Sequence, residues 1–134
     1  MSLLFFIYLA VRRAVAAAYF RKGSPNAVQT AIRWDPANPE YYDALGTLMH
    51  LYADRGNSDE IVLFYQNATR LSPHDAHFWA DLGAGYDWAG RSNDALDAFS
   101  ALDASFQIHR RSTGGWPIFM FERARFRRRF APYK

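Results

Sequence analysis

The sequence predicts an all-α fold of antiparallel helical hairpins, and three observations carry that expectation. An ordered set of large, small and turn-forming residues occurs twice along the chain, proline-bearing breaks divide it into segments of helix length, and no stretch reads as a strand. The breaks are Asp35-Pro-Ala-Asn-Pro and Ser72-Pro-His-Asp. Proline cannot continue a helix and turns the residue before it away from helical angles.

Helices are expected over residues 2–22, 25–34, 39–54, 58–71, 75–89, 92–106 and 117–130. The second should start with Ser24 as N-cap and Pro25 at the first helical position. Ser58 or Asn57 can cap the helix that carries Asp59 and Glu60, and Ser92 the one that carries Asp94, with the acids favoured near the positive helix start.

A chain of 134 residues has room for one domain, and its 50% apolar and 17% aromatic content is far too high for a disordered chain. It contains no cysteine, which excludes a disulfide framework, a thiolate nucleophile and a cysteine-ligated metal. The net charge of +3 conceals a strong asymmetry: residues 1–22 carry +4, residues 23–108 carry −8 and residues 109–134 carry +7. An acidic body between basic ends can attract its own copies head to tail.

The repeated set reads Trp79, Leu82, Gly83, Tyr86, Gly90, Ala95 and Phe99 in its clearer copy. Gly83 lacks a side chain and lets a neighbouring helix approach closely, Gly90 can end a helix in a left-handed turn, and Ala95 is the small residue of the set. Upstream the order recurs as Tyr42, Leu45, Gly46, Met49, Gly56, Ile61, Tyr65, Ala68 and Pro73, with a longer first helix and Ile61 in place of the small residue. Ala31, Ile32, Asp35 and Pro36 look like the close of a preceding unit. These positions resemble the tetratricopeptide repeat (TPR) family, with hairpins at about 39–73 and 76–106 and a partial unit at 24–36. The resemblance implies a short right-handed solenoid and a protein-binding role.

Three parts follow: an apolar N-terminal helix over 1–23, a repeat domain over 24–108, and a basic aromatic cap or tail over 109–134. The first part, with Leu4, Phe5, Tyr8, Val11 and Val15, looks like a membrane span until Arg12 and Arg13 interrupt it. Its uninterrupted run, Leu3 to Val11, is less than half of the roughly 20 residues needed to cross hydrocarbon. Three readings stay open: an anchor with snorkelling arginines, an assembly helix packed on copies of the chain, or a first repeat helix pairing with residues 25–34. An anchor would leave the arginines and the body on the cytoplasmic side. At the other end the repeat is expected to break at Gln107. A capping helix should follow with Ile118, Phe119, Phe121 and Phe126, and with an arginine surplus that includes Arg110, Arg111, Arg123, Arg125, Arg127, Arg128 and Arg129 beside Trp116.

The chain has no Gly-rich phosphate loop, no Gly-x-Ser-x-Gly and no His-Glu-x-x-His, so no catalytic residue, no enzyme activity and no cofactor is expected. His74 and His77 with Asp75 and Asp81 are read as helix-start and surface residues rather than metal ligands, and Asn67-Ala68-Thr69 as a chance sequon inside a helix. By resemblance to the family, the groove that holds a partner is lined by Glu40, Asp43, Thr47, His50 and Leu51 in one hairpin, and by His77, Ala80, Asp81, Ala84, Asp87 and Trp88 in the next. Such an acidic groove suits a basic, aromatic segment. The expected function is a non-enzymatic scaffold that self-associates into a multimer or filament through its apolar helix and basic tail. The alternative is a membrane-anchored adaptor that recruits a partner protein. A place at a membrane or in a cell-surface assembly follows from either reading, and nucleic acid is not an expected partner.

Overall fold

The computed structural model describes residues 3–52 and 57–113. Six helices account for nearly all of them: α1 (Leu3–Phe20), α2 (Pro25–Trp34), α3 (Pro39–Tyr52), α4 (Ser58–Leu71), α5 (Ala76–Trp88) and α6 (Ser92–Thr113). No strand occurs among the described residues, so the chain is all-α.

Local chemistry explains most helix ends. Ser24 Oγ accepts from the Ala27 amide at 3.4 Å with Pro25 next, as expected, and Asp75 Oδ1 accepts from the His77 amide at 3.0 Å to open α5. Gly90, at φ 76°, takes the left-handed position after α5 that a residue with a Cβ resists. At α4 the N-cap is Asn57, which makes no side-chain capping bond. Ser92 is the first residue of α6 rather than its cap, and Asp94 instead binds Arg91 Nε at 2.7 Å.

The last described helix departs from expectation. It does not stop near Gln107 but continues to Thr113, across the expected boundary at residue 109. No proline or glycine lies between Ser92 and Thr113, so nothing in the backbone ends the helix earlier. The expected capping helix over 117–130 lies outside the described residues.

Each helix packs chiefly on its neighbours in sequence, and α3 also touches α5. The first helices of the two hairpins, α3 and α5, enter alike: Tyr42 Oη donates to the Pro36 carbonyl at 3.2 Å, and Trp79 Nε1 to the Pro73 carbonyl at 2.8 Å. The repeated aromatic thus ties each helix to the proline break before it. One core cluster, Ala16, Val28, Ala31, Tyr41 and Leu45, joins α1, α2 and α3. A second, Ile61, Val62, Tyr65, Leu82 and Ala98, joins α4, α5 and α6. Met49 of α3 packs against both.

Two close approaches set the spacing of the helices. A Cβ at Gly83 would fall 2.5 Å from Cε1 of Phe99, so the bare backbone of α5 accepts the α6 ring as the sequence implied. The Tyr65 ring of α4 meets two glycines: a Cβ on Gly46 of α3 would lie 2.9 Å from its Cε1, and one on Gly85 of α5 would lie 2.8 Å from its Cδ2. The ring is thereby wedged between two helices, and its hydroxyl lies 3.3 Å from Thr47 Oγ1.

Helix α1 is divided in character. Its C-terminal part enters the core at Ala16 and stacks Phe20 on Tyr41 at 4.9 Å between ring centroids. From Leu3 to Val11 every residue except Leu9 is exposed. The divide falls at the arginines: Arg12 Nε donates to the Trp34 carbonyl at 2.9 Å, and Arg13 lies 4.0 Å from Asp35. The expectation of a first helix pairing with residues 25–34 thus describes the second half of α1, and the core crosses the expected boundary at residue 23.

Because Gly46 hems the Tyr65 ring opposite Gly85, the ring has nowhere to shift. Gly85→Ala should destabilise the fold by about 1–3 kcal/mol through overpacking, partly offset by the roughly 1 kcal/mol that alanine gains in a helix. Urea unfolding of the two proteins checks this, and a midpoint raised by the substitution would contradict it.

Candidate functional site

The residues expected to line a groove come from α3 and α5, and the structure sets these two helices side by side. Asp43 of α3 and Asp81 of α5 converge on one imidazole. His77 Nε2 lies 3.6 Å from Asp43 Oδ2 and 3.3 Å from Asp81 Oδ2. The pair within α5 is one helical turn apart, which places both side chains on one face. Asp43 arrives from the other hairpin.

The electrostatics of this trio are strong. Hydrogen bonding to Asp43 raises the His77 pKa to about 9, opposed by partial burial and aided by the charges of Asp81, Asp43 and Asp75. At neutral pH the imidazole is therefore a cation between two carboxylates. Asp43 is only 8% exposed, and its Oδ1 has no hydrogen-bond partner among the described residues.

Other expected groove residues divide between surface and interior. Glu40, Leu51 and Asp87 are exposed, and Ala80 is half-buried. Thr47 is half-buried, its hydroxyl beside that of Tyr65. His50 packs its ring on Trp88 at 4.8 Å between centroids, and burial lowers its pKa, so this pair is an uncharged contact between α3 and α5. Trp88 accordingly offers less free face to a partner's guanidinium than expected. Ala84 is buried, on a helix that packs on α3, α4 and α6 at once. Asp43 is likewise more enclosed than a surface acid.

Of the histidine and aspartate residues weighed as ligands in the sequence, His77 and Asp81 come together, Asp75 caps α5, and His74 stands exposed. The missing member was Asp43, more than thirty residues upstream of His77. Its signal was present only in the repeat itself, since the equivalent helices of successive hairpins should lie together. Arg110 and Arg111 fall in the last turns of α6, and Trp116, Arg123, Arg125, Arg127, Arg128 and Arg129 lie outside the described residues.

In the N-terminal helix Leu4, Phe5, Tyr8 and Val11 are exposed and Val15 is half-buried. At 18 residues, α1 is long and apolar enough to cross a membrane by length and composition. Comparison with protein-family models found no match, and none of the curated proteins matches the chain.

The raised His77 pKa has a sign that can be tested. Protonated His77 is favoured by Asp43 from α3, by Asp81 from α5 and by Asp75 at the N-cap of α5, so its contribution is complete below its ordinary value of 6.5 and is lost as pH rises through about 9. With a chelator present, the melting temperature should fall across that window, and His77→Gln should remove the step. A step of the same size in the variant would assign it to another group.

Proposed function

We propose that the protein is a non-enzymatic, TPR-like interaction scaffold, held at a membrane through the apolar end of α1 and offering the acidic α3/α5 face to a basic partner. The observation that carries this reading is the exposure of Leu3–Val11 around nearly the whole circumference of the helix. A seam between helices needs one apolar stripe, whereas a helix apolar on all sides matches hydrocarbon. Arg12 and Arg13, tied to the end of α2, stand where that surrounding would give way to headgroups and water.

Self-association into a multimer or filament is the second reading, favoured by the charge of +7 on residues 109–134 against −8 on the body. In that arrangement the basic tail of one copy meets the acidic face of another. The contact is heterologous, so it closes as a ring or continues as a filament according to the rotation between copies.

Density-gradient flotation separates the two readings. Membrane attachment through α1 predicts that the full chain floats with neutral phosphatidylcholine vesicles and stays bound at about 1 M salt, where the Debye length is only about 3 Å. Protein left at the bottom of the gradient would overturn it. If light scattering then showed a multimer that a chain ending at Thr113 cannot form, the self-assembly reading would stand in its place.

A further inference from the structure

We propose that Asp43, His77 and Asp81 form a binding site for a divalent transition-metal ion, with zinc the best geometric fit, which clasps α3 of one hairpin to α5 of the next. One ligand atom from each residue lies within 4.8 Å of the other two. A zinc ion takes imidazole nitrogen and carboxylate oxygen at about 2.0–2.2 Å, which sets tetrahedral ligand atoms about 3.4 Å apart. The distances from His77 Nε2 to the two carboxylate oxygens, 3.3 Å and 3.6 Å, bracket that spacing. Small side-chain rotations that draw the two oxygens together complete the half-shell, and water from the solvent side of His77 can take the fourth position.

A second observation comes from Asp43 itself. Its carboxylate is turned toward His77, the residue is 8% exposed, and Oδ1 is buried without a hydrogen-bond partner among the described residues. A carboxylate so enclosed is costly unless its charge and its oxygens are satisfied. A dication balances Asp43 and Asp81 together with a neutral imidazole, and a bidentate carboxylate could use Oδ1 as well. The mixed nitrogen and oxygen donor set suits zinc and its first-row neighbours better than magnesium or calcium, which prefer oxygen alone.

The consequence is mechanical. Without a metal, α3 and α5 meet through the Tyr65 wedge, the His50–Trp88 contact and the ion trio. A bound ion would hold the two hairpins at a set spacing and stiffen the face that a partner would meet.

Isothermal titration of chelator-treated, full-length protein with zinc chloride at about pH 8, where histidine ligands are more readily deprotonated, tests the site. The expected result is one ion per chain, a higher melting temperature with zinc, and affinity reduced at least about tenfold in His77→Gln and in Asp43→Asn. His74→Gln should bind as the wild type does. Far-UV circular dichroism checks that each variant folds; should Asp43→Asn fail, Asp81→Asn serves in its place. Absence of zinc binding, or binding undiminished in His77→Gln, would overturn the proposal.

Discussion

The Tyr65 ring, wedged between the backbones of Gly46 and Gly85, is the contact on which the arrangement of the described helices rests. A ring in that position needs a glycine on each side, because a methyl group on either helix would fall inside contact distance. The wedge therefore fixes two distances at once, α3 to α4 within a hairpin and α4 to α5 between hairpins. Gln66 Nε2, which donates to Tyr86 Oη at 2.7 Å, reinforces the second. With α4 seated on both neighbours, α3 and α5 are brought into contact.

That adjacency creates the chemistry of the α3/α5 face. Asp43 and His77 are distant in sequence, and each alone would be an ordinary helix-surface residue. Side by side they form a charged trio with Asp81 whose deepest member is buried within the body. His50 and Trp88 make the uncharged counterpart further along the same pair of helices. The face is thus acidic and partly self-satisfied: Asp43 and Asp81 already hold a cation at neutral pH, while Glu40 and Asp87 remain exposed.

Helix α1 joins this body by one end. Ala16 and Phe20 are bound into the first core cluster, and Arg12 spends its guanidinium on the terminal carbonyl of α2, a site where cations are favoured. The two arginines that make the segment a poor simple span thereby have a structural use. They mark the change from a helix that packs against protein to one whose side chains face outward.

The sequence by itself determined the all-helical class and most of the local joints, though not the length of α6. Proline breaks, Ser24-Pro25, the left-handed Gly90 and the pairing of Gly83 with Phe99 all act over a few residues or one hairpin, where spacing and backbone chemistry are sufficient. The all-α class was legible for the same reason, and so was the placing of Asp43, His77 and Asp81 on helices that should share a face. Only the tertiary structure decided which of those side chains meet. Apolar content could not show that α1 enters the core only near its C-terminal end, at Ala16, and is otherwise mostly exposed, since burial depends on what lies opposite. Nor could a glycine count show that Gly85, outside the repeated set, matters as much as Gly46. Its role exists only because a ring from another helix arrives there, and the meeting of Asp43 with His77 follows from that same long-range packing.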